Sequence, residues 1–314
     1  MLKRVVKRVS SGLHSLPFPL ACHRPLATIT ASRLLQKATF AATAISTSTA
    51  CAFCSVPAFI VSRETNRSND HDHDEIVLPK VVLYQYEPCP YCCQVKAVLD
   101  YLKIPYEVVE VNPITKSEIM AFTDYRKVPV VRINDQVVVD SSAIISRLWE
   151  LVMCSEDKDI EHGEEEEKHW CQWVNKKLIL LTPPNIYRTI PEALQAFDYC
   201  LTEGNFTSME RRMSKYAGAM VMYLIAKRAK KKYEIDDERL TLYSALKNWV
   251  DAIGDKRPFL GGQEPNMADL SVFGVLRAMH GLDTYNDIMR ETDIAPWFTR
   301  MSLKVGPSSR IASN

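Results

Sequence analysis

The chain has 314 residues, of which 46% are apolar and 25% charged, and a net charge of +1. That mix excludes collagen-like, fully disordered and polytopic membrane classes, and the near-zero charge gives no global reason to expect nucleic acid as a partner. The length favours two domains, and an odd count of nine cysteines, three of them together as Cys89, Cys92 and Cys93, points to reactive thiols or a metal site rather than a disulfide framework.

Charge is unevenly spread. Residues 1–63 hold eight Lys or Arg and no Asp or Glu, and the net charge is +4 over residues 1–79 against −3 over the remainder. A basic, acid-free, Ser/Thr/Ala-rich start is the pattern of an organelle transit peptide, mitochondrial before plastid. Residues 38–61 carry no charge and are long enough to span a bilayer. Seven Ala and seven Ser or Thr make that stretch weakly insertable. It reads either as a membrane anchor or as part of the transit segment. Cys51 and Cys54 lie inside it without a fold to hold them. Residues 64–79 read as a polar linker, with His71 and His73 solvated rather than metal-bound. No metal site is expected.

The folded part starts at Lys80. Residues 80–86 are a β-branched and aromatic run, hence a strand. The run Cys89-Pro90-Tyr91-Cys92 ends it, and Val95, Val98, Leu99 and Leu102 then recur on one helical face. A second strand is expected over residues 106–111, a short helix over 116–122, and a hairpin from 128 to 139 turning at Asn134-Asp135. Asp140-Ser141-Ser142 caps a further helix bearing Ile144, Ile145, Leu148 and Trp149. This β-α-β-α-β-β-α order over residues 80–153 is that of a thioredoxin-like, glutaredoxin-like α/β domain.

Residues 160–303 show helical periodicity with no clear strands, giving an all-α second domain. Helices are expected over 165–181, 191–202, 208–232, 237–254 and 267–280, with residues 304–314 as a tail.

The chemistry centres on Cys89. A thiol between a strand and a helix faces the unbonded N–H groups and the positive dipole end of that helix, and both favour the thiolate. Cys92, one turn on, is placed to hydrogen-bond Cys89 or to resolve a mixed disulfide. Tyr86, three residues earlier, offers a hydroxyl to the same sulfur. Val128-Pro129 opens a strand opposite the thiol loop, where a cis bond would free the main chain of Val128 to pair with an extended peptide. The helix start at Asp140-Ser141 suits a carboxylate on the Ser141 side, while Asp140 takes an ammonium. Together these three signals describe a glutathione site.

Cys89-Pro90-Tyr91-Cys92 with the later Val-Pro and Asp-Ser-Ser resembles the N-terminal domain of glutaredoxins and glutathione transferases. Asn266 with Asp269 resembles a capping arrangement of transferase C-terminal domains. More specific stretches are YQYEPCPYC, PYEVVEVNP, YRKVPVV, PNIYRT, EALQAFDY, KYAGAMVMYLIAKR and IAPWFTR. Over residues 80–303 they resemble the membrane-associated prostaglandin E synthase type 2 family. That resemblance implies a glutathione-transferase-like C-terminal domain and a homodimer. It implies isomerisation of a lipid endoperoxide, prostaglandin H2, to prostaglandin E2, with glutathione and also haem as ligands. On this chain it makes Cys89 the essential thiol, Tyr86 and Cys92 its hydrogen-bond partners, and Val128, Pro129, Asp140 and Ser141 the glutathione contacts. It also implies membrane association through the N-terminal segment. Two other classes fit the same motifs: a thiol–disulfide oxidoreductase using both cysteines, and a non-catalytic glutathione–haem binding protein.

Overall fold

The computed structural model describes residues 79–113, 115–152, 164–204 and 207–312, all within one compact unit, Val56–Asn314. The transit segment, the uncharged stretch at 38–61 and the His71/His73 pair lie outside the described residues.

The first half follows the expected order: β1 (Val81–Gln85), α1 (Pro90–Tyr101), β2 (Tyr106–Glu110), α2 (Ser117–Met120), β3 (Val130–Ile133), β4 (Gln136–Val139) and α3 (Ser141–Val152). The strands form one mixed sheet in the order β2-β1-β3-β4, with β2 parallel to β1 and the other pairs antiparallel. Side chains alternate across the sheet. Val81, Leu83, Val131 and Ile133 pack with the apolar faces of α1 and α3. Tyr84 and Val130 point the other way, onto Ile119 and Val111. The smaller of these cores also takes in Tyr86, Tyr125 and Val128, so it fixes residues of the candidate site.

The second half is helical: α4 (Glu164–Trp173), α5 (Ile179–Ile186), α6 (Ile190–Ala196), α7 (Ser208–Lys232), α8 (Glu238–Ile253), α9 (Met267–Arg277), α10 (Asp283–Glu291) and α11 (Ala295–Val305). Side-chain caps start several of them: Thr189 with Glu192, Thr207 with Glu210, and Asn266 with Asp269 each form a reciprocal capping box. Asp269 goes beyond capping. Its buried carboxylate accepts from Leu260 N, Gly261 N, Asn266 N and Trp297 Nε1 at 3.0–3.2 Å. Four tryptophans, Trp170, Trp173, Trp249 and Trp297, stack and tilt against one another nearby.

Three expectations change. The helix expected at 165–181 is interrupted by a π turn at Val174–Leu178 and then continues through Pro183 and Pro184 as α5. The helix expected at 191–202 closes at Ala196 and gives way to a 3₁₀ turn, Asp198–Leu201. Residues 304–314 are not simply a tail. Lys304 and Val305 complete α11. The chain then runs beside β2: Tyr106 N donates to Ser309 O at 3.3 Å and Ile311 N to Tyr106 O at 2.8 Å.

The two halves meet along α1 and α9. A Cβ on Gly274 would lie 2.5 Å from Gln94 Cα, so only glycine permits this approach. Buried Asp100 at the far end of α1 ties the parts together. Its carboxylate accepts from Arg277 Nη1 at 2.7 Å, Ser309 N at 2.8 Å, Tyr106 Oη at 3.1 Å and Ser308 Oγ at 3.2 Å.

Candidate active site

β1 ends at Gln85, and the turn Tyr86-Glu87-Pro88 delivers Cys89 to the N-cap of α1 with an extended backbone, φ −74° and ψ 120°. Pro90 suits the first helical position because it has no N–H to leave unbonded. Cys89 N donates to Tyr86 O at 3.0 Å, and Cys93 N donates to Cys89 O at 2.9 Å. Cys92 is fully buried one turn in, while Cys89 keeps part of its surface.

The two thiols titrate in opposite directions. The Cys92 thiol, donating to the Cys89 sulfur, is the main cause that lowers Cys89 below the ordinary thiol range. Burial opposes this, and the backbone N–H groups of Cys92 and Tyr91 and the charge of Lys96 assist it. Burial and the same hydrogen bond push Cys92 well up. The pair is therefore biased so that Cys89 gives up its proton before Cys92 does.

Tyr86 differs in detail from the expectation. Its link to the pair runs through the main chain, with its carbonyl accepting from Cys89 N and its N–H directed at the Cys92 sulfur, rather than through the hydroxyl. Burial and the neighbouring thiols push that hydroxyl up to about 12, so it stays a donor.

The peptide bond Val128–Pro129 is cis. Val128 packs into the same small core as Tyr86. Asp140 is exposed at the end of β4, at φ 72°, where its Oδ1 accepts from Ser142 N at 3.0 Å and its carbonyl from Ile144 N at 2.9 Å. Ser141 is buried as the first residue of α3. Cys89 and Asp140 act on the same two tyrosines, Tyr91 and Tyr125, raising both beyond the effect of burial. The structure thus gathers Cys89, Cys92 and Tyr86 directly, sets Val128 against the same small core as Tyr86, brings Asp140 in across those two rings, and leaves Ser141 at the helix start behind Asp140.

Sequence reasoning passed over several neighbours. Tyr91 lies inside the thiol motif itself. Tyr187 is buried near Cys89 and belongs to the Pro-Asn-Ile-Tyr-Arg-Thr stretch. A carboxylate pair also stands behind the thiol loop. Burial pushes Glu110 up to about 8, and its Oε1 accepts from Glu87 N at 2.8 Å. Burial opposes the ionisation of Glu87, but Lys96 at 2.8 Å overcomes it and holds the group below the usual carboxylate range. Glu110 pairs in register with Gln85, a relation visible only once the strands are aligned.

The opposite face of α1 borders a cleft of about 550 Å³ between the two halves. Glu87, Cys93, Lys96, Tyr199, Arg277 and His280 are among its walls. Cys93 donates to Glu87 O at 3.4 Å, and burial pushes its thiol up to about 11. Among the described residues no group of three His, Cys, Asp or Glu is placed to hold a metal ion.

A family profile described as the N-terminal domain of glutathione S-transferase matches residues 83–152. Prostaglandin E synthase 2 of Mus musculus is 41% identical over 267 residues, covering 71% of this chain and 69% of the relative. The chain belongs to the prostaglandin E synthase 2 family. The Danio rerio family member is 38% identical over 265 residues, with 71% of this chain and 70% of that one covered. Among solved structures, beta-etherase LigF from Sphingobium sp. strain SYK-6 superposes with a TM-score of 0.50 at 16% identity, over 71% of this chain and 95% of that chain. At that identity the likeness speaks to fold: a transferase-like thioredoxin domain followed by helices, as in this family member.

Proposed function

We propose that this family member is a thiol-dependent isomerase of a lipid endoperoxide, turning prostaglandin H2 or a close analogue into the E2-type hydroxyketone. The observation that carries the proposal is the split pair: Cys89 lowered and Cys92 held protonated one turn away, in a chain of this family. The Cys89 thiolate attacks the endoperoxide oxygen on the carbon destined to become the ketone. The O–O bond breaks, an S–O bond forms, and the second oxygen leaves as an alkoxide that takes a proton and becomes the hydroxyl. Loss of the hydrogen on the first carbon as a proton then makes the C=O, breaks S–O and returns the thiolate. No electrons enter or leave, as isomerisation requires. Tyr86, protonated at neutral pH, and the Cys92 thiol are the proton donors this site offers the alkoxide.

The donor set around Cys89 fits glutathione. Val128 offers main chain beside the cis bond, Asp140 an exposed carboxylate for an ammonium group, and the start of α3 N–H groups for a carboxylate. Glutathione would supply a second thiol next to Cys89. For haem, the residues gathered around Cys89 include no histidine, and no step runs through it.

Turnover by the purified chain decides between this reading and a dithiol oxidoreductase, which the buried, hydrogen-bonded Cys92 also suits. Isomerisation needs one thiolate and dithiol exchange needs two. Cys92→Ser should keep part of the endoperoxide turnover and Cys89→Ser almost none. If both variants are equally inactive on the endoperoxide and the wild type reduces glutathionylated substrates well, the oxidoreductase reading replaces this one.

A further inference from the structure

The turn that carries Cys89 is held through Glu87, two positions before the thiol. The polar atoms of Glu87 are bonded to β1, β2 and α1 together. Its N–H donates to Glu110 Oε1 on β2 at 2.8 Å. Its carbonyl accepts from Cys93 Sγ at 3.4 Å and from Lys96 Nζ at 3.5 Å, both on α1. Its carboxylate takes Lys96 Nζ at 2.8 Å and the amide of Gln85 at the end of β1. The turn has no other donor for the sheet: Tyr86 N is directed at the Cys92 sulfur, and Pro88 has no N–H. Glu87 N is therefore the donor that ties the turn to β2.

Glu110 is an unusual partner for a main-chain N–H. It is 8% exposed, at the last position of β2. Among the described residues it accepts from Glu87 N and from Gln85 Nε2 at 3.3 Å, and from no cation. Lys96 acts on its charge but bonds Glu87 instead. Tyr86, Tyr199 and Cys200 are the other titratable groups that feel it. Burying a carboxyl group without a cation costs stability, and an apolar residue at this depth would avoid that cost. What the acid supplies, and an apolar residue cannot, is an acceptor for Glu87 N. Without one, that N–H is orphaned and the turn must shift to reach water.

We propose that Glu110 is a positioning residue for the reactive thiol: by accepting from Glu87 N it fixes the Tyr86-Glu87-Pro88 turn, and the turn sets the Cys89 sulfur against the start of α1. The route is short. Cys89 N donates to Tyr86 O at 3.0 Å, so the turn closes around Glu87. The sulfur in turn depends on place, because its donors are the Cys92 thiol and the N–H groups of Cys92 and Tyr91, all fixed on α1. Hydrogen bonds to it weaken steeply with angle and distance. The acceptor is what matters, since a neutral carboxyl offers Glu87 N the same oxygen as an ionised one. The assignment rests on Cys89 being the reactive thiolate, and not on which substrate it meets.

Three variants of the full chain separate the acceptor from the acid. Glu110→Gln keeps the oxygen and loses the acid, Glu110→Asp keeps the acid and withdraws the oxygen by one methylene, and Glu110→Met lacks both. The readout is the rate of Cys89 alkylation by iodoacetamide as a function of pH, with the site located by peptide mass mapping. Glu110→Gln should follow wild type within about twofold throughout. Glu110→Asp and Glu110→Met should react roughly fivefold more slowly at pH 7, the value of one neutral hydrogen bond. At high pH, where Cys89 is ionised in every variant, they should equal or exceed the wild-type rate. A loss of fold would not restore the rate in that way, and it would also expose Cys93 to the reagent. Wild-type profiles in both the Asp and the Met variants overturn the proposal. So does a Gln profile displaced as far as the Asp profile, which would assign the effect to the acid rather than the acceptor. If Glu110→Met does not fold, the Gln and Asp profiles decide alone. A wild-type thiol that titrates in the ordinary range would instead overturn the reading of Cys89 as a thiolate, and this assignment with it.

Discussion

Cys89 and Cys93 are four residues apart on one helix and face two different environments. Cys89 sits at the N-cap, partly exposed, with a neighbouring thiol and two backbone N–H groups aimed at its sulfur. Cys93 is one turn further, buried at the wall of the cleft between the halves and bonded to a carbonyl. The same side-chain chemistry is tuned down in one place and up to about 11 in the other. Donors lower a thiol and burial without donors raises it. Position on the helix, rather than residue type, makes a nucleophile.

The contrast breaks most easily at the sulfur. Cys89→Ser should cost about a thousandfold or more in turnover, and Cys93→Ser should stay within about threefold of wild type. Alkylation followed by peptide mass mapping gives the same comparison: Cys89 should be modified first at neutral pH and Cys93 only after unfolding.

The cleft side is sharpened by stability. Asp100 is buried and serves Arg277, Tyr106 and the C-terminal segment at once. Asp100→Ala strands a guanidinium and several donors, and should cost about 3–5 kcal/mol in a denaturant titration. That loss should leave the order of thiol reactivity intact.

Glu110 probes the region behind the thiol loop. Its folded value, about 8, lies above its ordinary value of 4.5. The folded state therefore binds a proton more tightly than the unfolded state. The stability this contributes is complete below pH 4.5 and is lost as the pH rises through about 8. Glu110→Gln keeps the neutral form at every pH, so it should remove that decline and stabilise the protein at pH 9 by up to about 4–5 kcal/mol relative to wild type. Thermal melts across pH 5–9 would show it; identical slopes for the two proteins would contradict the placement of the proton.

The smallest expected effect concerns the ligand. Asp140→Asn, which keeps an acceptor for Ser142 N and tolerates the positive φ, should raise the glutathione dissociation constant roughly tenfold, the value of one hydrogen bond to a charged group, with little change in melting temperature. Calorimetry that finds an unchanged constant would place the ammonium group elsewhere.

Much of the thiol site is legible in the sequence because its signals are local. A strand running into Cys89-Pro90-Tyr91-Cys92, a Val-Pro before a strand and an Asp-Ser before a helix each fix their own backbone. What the sequence hides is produced by pairing at a distance. Glu110 meets Glu87 only through the parallel register of β1 and β2. Gly274 reads as an ordinary helical glycine until α9 is laid on α1. Helix α10 carries few apolar residues and is masked by its charges. The expected helix at 165–181 has the right periodicity, but the π turn shifts the phase part-way along and no composition marks it.

The C-terminal segment has one more consequence. In the sheet order, β2 is an outer strand, and an outer strand with open N–H and C=O groups is a template for pairing with foreign chains. Residues Ser309 to Ile311 bond to both polar groups of Tyr106 and shield the start of that edge. The stretch that looks self-contained in the sequence, from β1 to α3, is therefore closed off by residues some two hundred positions later. Cut out and carried into another protein, it would arrive with that shield missing and with the Gly274 contact surface of α1 bare, an aggregation-prone fragment rather than a portable module.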